Sequence, residues 1–143
     1  MNEDTIHLLK EVDSGCLMAR DSLRQMKEYD MDTTEKEMLV NYIEKHNEMQ
    51  KEASALLHEN QQEDKTPGIM ASTMSWLTTE IKMMMHNEGS QIAKIVMNGC
   101  NMGIQSIGEN LTKYKTASEE AVKLAQKLIQ IEENLFSEAK AFL

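Results

Sequence analysis

The sequence predicts an all-α fold, a four-helix bundle, on three observations. One proline and six glycines interrupt its 143 residues and aromatic residues make up 4%, so the turn residues and the aromatic or β-branched runs of sheets are scarce. Apolar residues recur at alternating spacings of three and four in four long segments. Short polar stretches separate these segments. We therefore expect one helical bundle domain over residues 1–143, with one core.

Residues 4–58 are predicted to form the first helical hairpin. Each helix carries an apolar seam, meaning a line of core-facing positions, and a short turn makes the two helices antiparallel neighbours. Asp32 with Glu35, or Thr34 with Glu37, has the spacing of a capping box at the start of the second helix. The seam residues are Leu9, Val12, Cys16, Ala19, Leu23 and Met26, then Leu39, Tyr42, His46, Met49, Ala53 and Leu56.

Residues 59–89 are predicted to form a long crossover. Its first ten residues are polar and end in a Pro-Gly pair, which is typical of a loop. A short fifth helix is predicted at about residues 69–85, and it would span ~25 Å, most of the length of a bundle. The helices would then run up, down, down, up, the ferritin-like order with one long crossover.

The second hairpin, residues 90–143, repeats part of the first. A pseudo-two-fold bundle would place the repeated cysteines at equivalent core levels, with the glycines allowing close helix approach. Thr116 with Glu119 has capping-box spacing before the last helix. The repeated residues are Val12, Gly15, Cys16, Met18 and Ser22, matched by Val96, Gly99, Cys100, Met102 and Ser106. The predicted seams are Ile92, Val96, Cys100, Gly103, Ile107 and Leu111, then Ala121, Leu124, Leu128, Ile131, Leu135 and Phe142.

This layout resembles a family of small bacterial ferritin-like four-helix-bundle domains of unknown function. The resemblance spans nearly the whole chain. It rests on the hairpins, the polar loop, a crossover helix bearing Trp76-Leu77 and Ile81-Lys82, and the Gly-Cys pairs in the helices that open the two hairpins. It implies a ferritin-like bundle and no known reaction.

A ferritin-like di-iron centre would need ligands that this sequence does not supply. Such a centre takes a glutamate from each of two helices and a Glu-x-x-His pair from each of the other two. The first seam carries no acid, since Asp13 lies one residue off it, and Ile43 stands three residues before His46. The last helix has Glu132 and Glu133 but no histidine. We therefore expect no di-iron centre, and neither ferroxidase nor iron-storage activity.

Two other metal sites follow from residue types alone. One is a mononuclear metal or redox site in the core, and the other is a copper(I) site of soft ligands in the methionine-rich crossover. The structural interpretation is that core histidines are satisfied by polar neighbours, while cysteines and methionines fill the core. We therefore predict no cofactor, two buried, reduced cysteines, and a buried, neutral His46. The candidate metal ligands are His46, Asp13, Cys16 and Cys100 for the first site and Met85 and His86 for the second.

Charge and motifs exclude several function classes. The net charge of −9 would repel a nucleic-acid backbone or an anionic membrane, and no apolar run approaches the ~20 residues of a membrane span. An acidic N-terminus and only two cysteines favour the cytoplasm. No Gly-rich phosphate loop, Ser-His-Asp set or Cys-x-x-Cys pair is present, so the sequence favours a protein that is not an enzyme.

The crossover helix carries a second apolar line at Ile69, Trp76 and Met83, seven residues apart. We expect this line to be covered by a second copy in a homodimer, by a flank of the same bundle, or by another protein. The leading hypothesis is therefore a structural or protein-interaction module. The alternative is a metal-binding or redox protein.

Overall fold

A computed structural model of the protein describes residues 1–60, 62, 77 and 89–143, and the regular structure in these residues is helical. The all-α prediction is confirmed for this part of the chain. No described helix is long and apolar enough to cross a membrane. The predicted crossover helix lies outside the described residues except for Leu77, which is fully buried. The α-helices are α1 (Glu3–Met26), α2 (Thr33–Glu59), α3 (Gly89–Lys113) and α4 (Glu119–Ala139), followed by a 3-10 helix at Lys140–Phe142.

The start of α2 distinguishes between the two predicted capping boxes. The Asp32 carboxylate accepts a hydrogen bond from the backbone N–H of Glu35 at 3.0 Å, which satisfies a donor that the helix leaves unpaired. Asp32 is therefore the N-cap, and Thr34 lies inside the helix. The Glu35 side chain instead lies against Gly89, the first residue of α3.

The predicted capping box at Thr116 and Glu119 is wrong. Ser118 is the N-cap of α4, and its hydroxyl accepts from the N–H of Ala121 at 3.2 Å. The Thr116 hydroxyl and backbone N–H both donate to the Asp4 carboxylate. Thr116 is drawn to Asp4 because the turn before α4 lies beside the first turn of α1, a proximity that local spacing does not encode.

Further hydrogen bonds join the starts of α1 and α4. The Asn2 side-chain amide donates to the Thr116 carbonyl at 2.8 Å, and the N–H of Ser118 donates to the Thr5 hydroxyl at 2.7 Å. Asn2 also caps α1 by accepting from the N–H of Thr5 at 2.8 Å. The same few side chains therefore start α1 and hold α4 beside it.

The apolar core consists of two clusters, one toward each end of the bundle. The Tyr42 cluster contains Leu23, Met26, Met38, Leu39, Tyr42, Ile43, Leu77, Ile92, Ile95, Val96, Cys100, Leu135 and Ala139. The Met49 cluster contains Leu8, Leu9, Val12, Cys16, Met49, Ala53, Leu57, Ile107, Ala121, Leu124, Ala125 and Leu128. On α2 the buried residue between the clusters is His46, and on α4 it is Glu132. Two polar residues thus divide the core where the sequence predicts continuous seams.

Candidate functional site

His46 and Glu132 form a buried polar pair at the centre of the bundle. The seam of α2 turns His46 inward between Tyr42 and Met49, and its side chain is fully buried. Its Nδ1 donates to the Tyr42 carbonyl, one turn earlier, at 2.6 Å. Its Nε2 lies against Oε1 of Glu132, which is 6% exposed. Both ring nitrogens therefore have partners inside the core.

The partners of the imidazole determine how many protons the pair holds. A backbone carbonyl only accepts hydrogen bonds, so Nδ1 of His46 must carry a proton. Nε2 faces a carboxylate oxygen, and two lone pairs would repel each other there, so a second proton must lie between Nε2 and Glu132. The pair is therefore an imidazolium with a carboxylate, or an imidazole with a carboxylic acid, and it is neutral overall.

The prediction that His46 is buried is confirmed, whereas the reason for expecting a neutral ring, the lack of a charged neighbour, does not hold. Burial opposes the charged ring and lowers its pKa, but the hydrogen bond and negative charge of Glu132, with the Tyr42 carbonyl, outweigh burial and raise the pKa of His46 above its usual value. Tyr42 and Met49, the seam neighbours on the same helix, carry no charge, so local spacing does not reveal this partner. The decisive charge comes from another helix.

The other oxygen of Glu132 lies toward α3. Oε2 would be 3.4 Å from a Cβ atom added to Gly103, so this glycine leaves room for the carboxylate. Burial, followed by the charge of Glu132 and a hydrogen bond to it, raises the pKa of the Cys100 thiol. Burial and the charges of Glu132 and Asp13 raise the pKa of Cys16. Both thiols are buried and free of disulfides, as predicted, and the raised pKa values keep them protonated.

A cavity of about 230 Å³ lies between α1 and α3, with α4 as its floor. Glu132, Leu128 and Leu135 contribute the floor, and Cys100 lies in the α3 wall. Most of the lining is apolar, and Met102, half-exposed on α3, lies at its edge. The buried Glu132 carboxylate is therefore a polar group in a mainly apolar cavity.

Small residues on both walls create this space. On α1 the lining includes Gly15, Ala19 and Ser22, and on α3 it includes the equivalent positions of the repeat, Gly99, Gly103 and Ser106. On each helix the spacing is four and then three, which places small side chains on one face over two turns. The sequence predicts that these small residues allow close helix approach. They also leave a volume that larger side chains would fill. The repeated Gly-Cys pattern therefore indicates a cavity.

The structure describes the four candidate metal ligands of the core but not the two of the crossover. Among the described residues, no three His, Cys, Asp or Glu side chains lie where they could hold a metal ion. Cys16 and Cys100 belong to different core clusters, and Oδ1 of Asp13 accepts from Gln50 at 2.9 Å. Met85, His86 and the predicted interface residues Ile69, Trp76 and Met83 lie outside the described residues.

Glu132 is the residue of the candidate site that the sequence did not predict. It lies four residues after Leu128 and three before Leu135, which are both buried on α4. An acidic residue at the seam position between two core leucines is an available signal for a buried polar partner. The signal was masked by Ile131, which fits the apolar pattern but is only partly buried.

The hydroxyl of Tyr42 provides a second link between α2 and α4, since it donates to the Glu138 carboxylate. Burial and this acceptor raise the pKa of Tyr42. Tyr42 thus binds α4 through its hydroxyl and positions His46 through its carbonyl.

Comparisons of the chain with protein-family models, with curated proteins and with solved structures found no match in any of the three.

Proposed function

We propose that this protein is a non-enzymatic binding protein and that the cavity between α1 and α3 holds a small, mainly apolar ligand. The observation that supports this proposal is the cavity, which has a volume of about 230 Å³. Small and apolar residues form its walls, and a buried carboxylate lies in its floor. Concave, mostly apolar sites with a few polar groups are the usual form of small-molecule sites.

The cavity volume sets the size of the ligand. An apolar cavity of about 150 Å³ inside a helical protein accepts benzene. The larger cavity here has room for one aromatic ring with a short side chain. Three methionines in its lining, Met18, Met26 and Met102, support this assignment, because unbranched, polarizable side chains adapt to ligands of different shape.

The surroundings of the cavity favour binding over catalysis. Cys100 lines the cavity, but burial raises the pKa of its thiol, whereas nucleophilic cysteines have lowered pKa values. His46 is turned to Glu132 and does not line the cavity, so it is not placed to act as a base there. A metal ion would have to displace the protons of this pair and of the thiols, which disfavours the metal or redox alternative.

We also infer a ferritin-like bundle with the order up, down, down, up. The hydrogen bonds between the starts of α1 and α4 support a parallel arrangement of these helices. Contacts of Tyr42 with Glu138 and of Lys127 with Glu52 at 3.6 Å support an antiparallel α2 and α4. The interaction-module and homodimer hypotheses depend on Ile69, Trp76 and Met83 and stay predictions.

Ligand titration followed by protein NMR tests the binding proposal. With 2-phenylethanol as the probe, we expect saturable shifts in amides around the cavity. Ala19→Leu would fill the cavity from the α1 wall and abolish binding. Ala55→Leu, at an exposed position of α2, makes the same change away from the cavity and is the matched control. Absence of saturable shifts, or binding unaffected by Ala19→Leu, would contradict the proposal.

A further inference from the structure

We infer that the ligand of the cavity carries a positive charge that pairs with Glu132 and competes with the proton on His46. This inference rests on the proposed binding function and adds the chemical class of the ligand. A primary amine on an apolar body is the simplest molecule of this class.

The charges around the cavity are of one sign. Glu11 and Glu132 are the charged residues in the described lining, and no Lys, Arg or His is found in that part of it. A buried carboxylate in an apolar environment attracts a cation more strongly than it would in water, because little solvent screens the charge. An anionic ligand would meet repulsion without a compensating cation. The lining therefore complements a positive group.

One oxygen of the Glu132 carboxylate faces His46 and the other faces Gly103. Oε1 is bound to His46, which lies behind the cavity floor. Oε2 lies on the Gly103 side, and Gly103 lines the cavity without a side chain that would cover the carboxylate. An ammonium group in the cavity can thus approach Oε2 while the imidazole remains at Oε1.

Two cations on one carboxylate repel each other, and this repulsion couples binding to protonation. Among the described residues, the Cys100 thiol from α3 and the Cys16 thiol from α1 feel the charge of Glu132, and Asp13 and Glu52 act in turn on Cys16. An ammonium at Oε2 lowers the affinity of His46 for its second proton. Amine binding therefore releases part of that proton to solvent, up to one per ligand, and a neutral ligand releases none.

Three probes of similar shape separate charge from size. They are 2-phenylethylamine, a cation at pH 7, 2-phenylethanol, which is neutral, and phenylacetate, an anion. Titration calorimetry at pH 7 in phosphate and in Tris buffer measures both affinity and proton release, because the two buffers differ in protonation enthalpy. We expect the amine to bind about tenfold tighter than the alcohol, phenylacetate to bind more weakly than both, and only the amine to release a proton.

Two variants test whether Glu132 accounts for the higher affinity of the amine and whether His46 accounts for the proton release. In Glu132→Gln the amine should lose its advantage over the alcohol while the alcohol still binds. In His46→Gln the amine should keep its advantage without proton release, since glutamine does not titrate. Glu133→Gln, at the next and exposed position, is the matched control and should behave as the wild type.

The wild-type series remains decisive if a variant fails to fold. Amine and alcohol binding with equal affinity, or amine binding without proton release, would overturn this inference and leave the proposed binding function in place. If none of the three probes binds, both proposals are wrong.

Discussion

The imidazole of His46 and the carboxylate of Glu132 form a buried contact that joins α2 to α4 between the two apolar clusters. A polar pair in this position gains little net stability over apolar side chains of similar size, because both groups lose their hydration. Its removal in one step is costly, however, since the remaining group is left buried without its partner.

Single and double substitutions of this pair should therefore differ in their effect on the free energy of unfolding. We expect His46→Leu or Glu132→Met alone to lower the free energy of unfolding by about 3–5 kcal/mol. The double variant should recover most of this loss or exceed the wild type, because no unpaired polar group remains. Urea denaturation of the four proteins measures the coupling energy. Additive losses in the double variant would show that the pair does not interact as the structure indicates.

The protonation of His46 gives a signed prediction for pH. The folded pKa is raised above the usual value of 6.5, so the folded protein binds an extra proton and the pair stabilises it below pH 6.5. This contribution is lost as pH rises through the folded pKa. NMR of the imidazole resonances should thus give His46 a titration midpoint above 6.5. A midpoint at or below 6.5 would contradict the assignment.

Glu35 should produce a second loss of stability with rising pH. It is 2% exposed, and its Oε2 has no hydrogen-bond partner in the described residues. Burial, followed by the charge of Asp32, raises its pKa from 4.5 to about 7. The folded state therefore holds an extra proton between these values, and stability is lost as pH rises through them.

Glu35→Gln should remove this part of the pH dependence, because the amide has no charge to bury. Glu37→Gln, at an exposed position of the same helix, is the matched control and should keep the wild-type slope. Thermal unfolding at intervals from pH 4.5 to 8 measures the difference. Parallel curves for the wild type and Glu35→Gln would show that Glu35 is ionised without cost.

The two cysteines should differ in their reactivity toward a small thiol reagent. Both are buried, so native labelling should be slow and labelling in denaturant fast. Cys100 lines the cavity and Cys16 does not, so Cys100 should react first in the folded protein. Mass spectrometry of Cys16→Ser and Cys100→Ser reports each thiol separately. Faster labelling of Cys16 would mean that the cavity does not give access to Cys100.

The helices and most of their buried faces were predictable from the sequence alone. Leu9, Val12, Leu39 and Ile92 were assigned to seams and are buried. The prediction succeeds because the spacing that puts side chains on one helix face is a local property of the α-helix. The Asp32 cap was predictable for the same reason, since the donor and acceptor are three residues apart.

The tertiary structure decided which polar groups meet. Glu132 pairs with His46 from a different helix, 86 residues away, and Thr116 binds Asp4 across 112 residues. These pairings depend on the rotation of each helix about its axis and on its shift along the bundle, and neither quantity is contained in local spacing. The same packing of small residues from α1 against small residues from α3 left the cavity. The sequence by itself therefore determined the helices, and their packing determined the partner of His46 and the candidate site.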